Sequence, residues 1–132
     1  MKPFISFLLI LTFFACSCTQ NVAPCPLDIA CTEEFRSIGV TILDSAGTPV
    51  TLDRYSVFES GNELAIDFNL GLGEGWHTIF SDTYQMTYQN QEVTITLEGY
   101  LGGEMVVNQD YVVGADCCHV FLVSGPEEIR LT

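Results

Sequence analysis

Segment after segment of this chain alternates apolar and polar residues with a period of two. In EVTITLEG, Val93, Ile95 and Leu97 fall on one side, while Glu92, Thr94, Thr96 and Glu98 fall on the other. A β-strand sends successive side chains to opposite faces, so such a run buries one face and solvates the other. The same pattern runs through RSIGVTIL (Ile38, Val40, Ile42) and ELAIDF (Leu64, Ile66, Phe68), and TYQMTYQ (Tyr84, Met86, Tyr88) reads the same way. EMVVNQDYVV and CCHVFLVS continue the series, and EEIRLT adds a short last segment. VTLDRYSVF is extended too, but its alternation slips near Asp53–Arg54, which predicts a bulge or bend. Turn chemistry separates the runs: DSAGTP with Gly47 and Pro49, then SGN, GLGEG and Gly102–Gly103. No window of helical length beyond the N-terminal segment carries a helical stripe. Seven or eight short strands, each with one apolar face, predict an all-β chain folded as a single antiparallel β-sandwich.

The N-terminus does not belong to that sandwich. MKPFISFLLILTFFACSC has Lys2, an apolar run from Phe4 to Phe14, and then small residues and cysteine. These are the parts of an export signal, and the run is too short for a membrane-spanning helix, which needs about 20 residues. The segment resembles a bacterial lipoprotein signal of the short, Phe-rich Bacteroidetes type. The resemblance is confined to the stretch from Met1 to Cys18. It implies that a cysteine after a small residue is lipidated and becomes the mature N-terminus. Cys16, after Ala15, lies directly at the end of the run; Cys18, after Ser17, is the alternative. Residues 1–15 are then a removed signal peptide, 16–32 a lipidated N-terminus and tether, and 33–132 the β-sandwich domain. Pro24 and Pro26 exclude regular helix from the tether. The resemblance implies a cell-envelope protein anchored to the outer membrane by its lipid, on the periplasmic or the surface face.

Export also decides how the cysteines are read. Beyond the inner membrane thiols are oxidised by default. Cys25, Cys31, Cys117 and Cys118 form an even set if Cys18 carries the lipid, whereas lipidation of Cys16 leaves Cys18 as a spare thiol in the tether. A bridge between the neighbours Cys117 and Cys118 would strain their peptide, so the two pairings that join the N-terminal pair to the C-terminal pair are expected, with the choice between them open. On a strand, Cys117 and His119 share a face, expected to be outward, and Cys118 points the other way. Cys117 and His119 could then touch one metal ion, with Cys31 or His77 completing the set. No C-x-x-C or H-x-x-x-H spacing supports such a site, so disulfides are the main expectation. A metal-binding or thiol-redox protein using Cys117, Cys118 and His119 is the alternative.

Charge narrows the partners. The chain has 17 acidic residues against 4 basic ones. Loss of Lys2 with the signal leaves Arg36, Arg54 and Arg130, so the net charge becomes 3 − 17, or −14 with histidine neutral. Such a surface repels phosphate backbones and anionic lipid head groups. No nucleic-acid partner is expected, and the domain should stand off the membrane on its anchor. The tip GLGEGWH presents the only tryptophan, Trp76, beside His77. These are the candidate ligand contacts for an envelope protein or a glycan, against the simpler reading of a tryptophan packed at a strand start. GLGEG lacks the Lys-Ser/Thr of a phosphate loop, no G-x-S-x-G is present, and the acidic residues are scattered. No cofactor is implied. A non-enzymatic protein of binding or structural role is the expectation.

IGVTILDSAGTPVTLDRYSV, from Ile38 to Val57, resembles immunoglobulin-like and carboxypeptidase-regulatory-like (transthyretin-like) sandwich modules. The features that carry the resemblance are its strand, its Asp/Gly/Pro turn and its Pro-Val strand start. It implies a spacer or binding domain and brings no catalytic residues with it.

Overall fold

The structure, a computed structural model, describes residues 22–66 and 72–132. The segment expected to be a signal, Cys16, Cys18, the end of ELAIDF and Gly71 lie outside the described residues. Eight strands follow in order: β1 (Ser37–Leu43), β2 (Arg54–Glu59), β3 (Asn62–Leu64), β4 (Trp76–Ser81), β5 (Gln91–Leu101), β6 (Glu104–Ala115), β7 (Val120–Ser124) and β8 (Glu128–Arg130). They form a three-stranded sheet, β4-β1-β8, and a five-stranded sheet, β3-β2-β5-β6-β7. The all-β sandwich expected from the alternation is what forms. Among the described strand pairs one departs from the antiparallel expectation: β8 runs parallel to β1, placing Ile129 beside Ile42.

The apolar halves of the alternating runs meet between the sheets. Val40 and Ile42 of β1 are fully buried, as are Val57 of β2, Ile95 and Leu97 of β5, and Val113 of β6. Their alternate neighbours Thr94, Asn108 and Asp110 are exposed. The β5–β6 hairpin turns at Gly102 and Gly103, both at positive φ (58° and 83°). Two successive left-handed residues match the twist of the flanking strands, and glycine adopts that conformation without steric cost. Asp53 accepts a hydrogen bond from the Gly102 N–H at 2.7 Å, and its own N–H donates to the Tyr100 carbonyl. The slip in alternation at Asp53–Arg54 is therefore the bend by which the chain enters the five-stranded sheet.

TYQMTYQ is not a strand. Asp82–Tyr84 form a short 3-10 helix, and the turn continues through a Tyr88 N–H to Tyr84 carbonyl bond. Tyr84 and Tyr88 are four residues apart, so a helical turn brings both to one side, where they pack on Phe80 with ring centroids 5.4 and 5.7 Å away. Met86 projects into solvent. The spacing of the two tyrosines satisfies both periods, and their packing on Phe80 selects the turn.

Tyr111 is 1 % exposed, and its hydroxyl has no hydrogen-bond partner. Burial pushes its ionisation up to about 12. Tyr111→Phe keeps the ring and removes the unpaired hydroxyl. It is expected to raise unfolding free energy by about 1 kcal/mol, read as a higher urea midpoint at unchanged slope.

Candidate functional site

The chemistry-bearing residues gather where the β6–β7 turn meets the segment before β1. The turn is built by Asp116. One carboxylate oxygen accepts the N–H groups of Cys118 (2.6 Å) and His119 (2.8 Å), and the Asp116 N–H donates to the His119 carbonyl. The His119 and Cys118 donors hold the Asp116 carboxyl below the usual carboxylate range. Cys117 and Cys118 thus lie in a tight bend and not on a strand, so the opposite-faces expectation for them does not apply.

Both cysteines are bridged to the N-terminal segment: Cys25 to Cys117 and Cys31 to Cys118, with Cα–Cα separations of 5.6 and 5.4 Å. The expected cross-pairing forms, and its open choice resolves in parallel order. Asn90 adds a further tie, donating to the Ala23 carbonyl at 2.7 Å. Residues 22–36 are therefore a strap along one end of the sandwich, and the later part of the expected tether is fastened down. With its sulfur in a bridge, Cys117 has no thiolate for a metal. Among the described residues no group of three or more His, Cys, Asp and Glu side chains is placed to hold one.

His119 is 7 % exposed and does not face solvent as expected. Its Nδ1 lies 2.8 Å from Asp82 Oδ2, and its Nε2 lies 2.9 Å from Thr32 Oγ1. A carboxylate only accepts, so Nδ1 carries a proton. In the neutral ring Nε2 then accepts the Thr32 hydroxyl. Asp82 also accepts the N–H of Val120 on Oδ1 and that of Arg36 on Oδ2, each at 2.8 Å. The Asp82 N–H donates back to the Arg36 carbonyl. One carboxylate thus joins the strap, the 3-10 turn and the start of β7.

Hydroxyl, imidazole and carboxylate stand here in the order of a nucleophile, its base and the group that orients the base. The neighbouring hollow is lined by Glu34, Phe35, Arg36, Ser37, Leu72 and Val120, and it takes in neither Thr32 nor His119. Nothing in the sequence singles out Asp82 or Thr32. The only signals are an acidic residue at the end of β4 and a hydroxyl beside Cys31, and nothing local links either to a histidine 37 or 87 residues away.

Trp76 and His77 sit away from this end. Trp76 lies over Gly39 of β1, where any side chain would collide with the indole. Its Nε1 is buried and unpaired. His77 is 2 % exposed and packs edge-on against Tyr55. Its Nδ1 donates to the Gly75 carbonyl, and its Nε2 accepts the Leu52 N–H. Both nitrogens are used internally, so His77 has no free atom for a ligand and acts as a core histidine joining the start of β4 to the Leu52–Tyr55 stretch.

Burial lowers the His77 pKa from its usual value, partly offset by the Gly75 carbonyl. The fold favours the neutral ring, while the unfolded chain takes up a proton near pH 6.5. The stability contributed by neutral His77 is complete above about 6.5. It declines as the pH falls below that, and is lost once the pH has passed through the lowered folded value. Urea unfolding at pH 7.5 and 5 is expected to show a larger drop for the wild type than for His77→Gln.

Comparison with protein-family models, curated proteins and solved structures finds no match to this chain.

Proposed function

We propose that this protein is a lipid-anchored, non-enzymatic β-sandwich of the cell envelope, with a binding or structural role. What supports the reading is the strap. A signal-like sequence leads directly into a segment stapled to the domain by two disulfides, the bond type of an oxidising compartment. Anchoring at Cys16 leaves about nine residues before Cys25, or ~30 Å of extended chain, so the domain sits close to its anchor. The acidic surface fits a partner other than a nucleic acid. Expression in a Gram-negative host, with mass spectrometry of the N-terminal peptide and membrane fractionation, tests this. A lipid-modified Cys16 or Cys18 in the membrane fraction is expected, and an unmodified soluble chain overturns the anchor.

The line Thr32–His119–Asp82 favours a second reading, hydrolysis of an activated ester at Thr32. Turnover of p-nitrophenyl acetate that is lost in both Thr32→Val and His119→Ala would displace the non-enzymatic reading. The metal or thiol-redox alternative requires free thiols at Cys117 and Cys118, which a thiol titration of the purified chain counts directly.

A further inference from the structure

Between the two bridges lies a loop with no part in the core. Pro26–Ala30 are all exposed, and the Ile29 N–H donates to the Pro26 carbonyl at 3.4 Å, closing a turn with Leu27 and Asp28 at its tip. Leu27 is 107 % exposed, as open as a side chain in an extended peptide, and Ile29 is 46 % exposed. Scattered surface leucines need no explanation. This one stands on a loop whose two ends are crosslinked to adjacent residues, Cys117 and Cys118. A flexible loop loses conformational entropy when it docks, and one already pinned at both ends loses less.

We propose that the Pro26–Ala30 loop is a membrane-contact tip, with Leu27 and Ile29 entering the head-group boundary of the bilayer that holds the N-terminus. The inference rests on the lipid-anchor reading for that proximity. The chain from Cys16 reaches the first bridge in about nine residues, so the loop base lies within ~30 Å of the anchored end. Charge selects the lipid. Asp28 shares the tip, Glu33 and Glu34 follow closely, and the described strap carries one cation, Arg36. The partner surface is therefore zwitterionic, since anionic head groups would be repelled. The acidic body still stands off the membrane while one apolar point touches it, which fixes how the domain faces the bilayer.

The test uses the full lipidated protein in phosphatidylcholine vesicles with brominated acyl chains, which quench nearby indoles. Trp76, packed on Gly39, gives the baseline in the unsubstituted protein. Leu27→Trp is expected to add emission that is quenched at least about twofold and blue-shifted, as an indole at an apolar boundary is. Adding Ile29→Asp to that variant should abolish the quenching, and so should an admixture of phosphatidylglycerol in the vesicles. Unchanged thermal unfolding shows that the sandwich is intact in each. The N-terminal mass is read on the same sample. A lipidated Leu27→Trp protein whose added emission ignores the bromines overturns the contact tip and leaves the anchor standing. An unlipidated protein that is quenched overturns the anchor and the proximity argument built on it, and leaves a tip that reaches the bilayer unaided. With neither lipid nor quenching, both fall.

Discussion

Removing either disulfide is expected to cost about 2.5 kcal/mol of unfolding free energy, and removing both about 7 kcal/mol. The arithmetic follows from how the bridges nest. Cys25 and Cys117 are 92 residues apart, and Cys31 and Cys118 are 87 apart. In the chain-entropy picture, closing one ring of that length removes about 4.6 kcal/mol of freedom from the unfolded chain. Once it is closed, the second bridge closes only the small ring from Cys25 to Cys31 and across Cys117–Cys118. That ring of nine residues contributes about 2.5 kcal/mol. Either bridge alone therefore retains most of the effect. A domain of this size has about 5–15 kcal/mol in total, so the chain without bridges stands near its folding threshold. Urea unfolding of C25S/C117S, C31S/C118S and the quadruple variant gives the answer. The quadruple loss should exceed the sum of the two pair losses by about 2 kcal/mol in that picture. Simple additivity would mean that the bridges do not share one ring.

The second large effect is expected at Asp82. Asp82→Ala should cost about 3 kcal/mol, and Asp82→Asn about half that. The carboxylate serves the Arg36 N–H, the Val120 N–H and His119 Nδ1. Arg36 is exposed, and water replaces its lost acceptor at little cost. Val120 and His119 are 3 % and 7 % exposed, so their donors would be stranded, at about 1–3 kcal/mol each. The asparagine variant keeps one acceptor oxygen and the side-chain shape. Because the disulfides still hold the strap, the loss should appear first as faster hydrogen exchange at the Val120 amide. If D82A unfolds within about 0.5 kcal/mol of wild type, the range of an ordinary surface substitution, the network carries no stability.

The regular sheet could be read in advance because its signal is local. Val93, Ile95 and Leu97 alternate in the chain and stay alternate in space, since a strand is nearly straight and its side chains have nowhere else to point. The misread segments lack that property. Tyr84, Met86 and Tyr88 fit a strand by alternation, but two tyrosines four residues apart also fit a helical turn, and the contact with Phe80 selects the turn. His119 looks outward as part of an alternating run. The run begins only after the bend that Asp116 imposes, and His119 is drawn inward by Asp82, 37 residues earlier in the chain.

Taken alone, the sequence determined the class of fold, the positions of most turns and the four cysteines that join its two ends. Period, turn residues and the strain of a bridge between adjacent cysteines all act through neighbours in the chain. Tertiary structure decided which cysteine pairs with which, the neutral role of His77 in the core, and the meeting of Thr32, His119 and Asp82. It also left Leu27 alone in solvent between two bridges. Each of these depends on atoms brought together across tens of residues by the packing of the two sheets, and no local pattern records that distance.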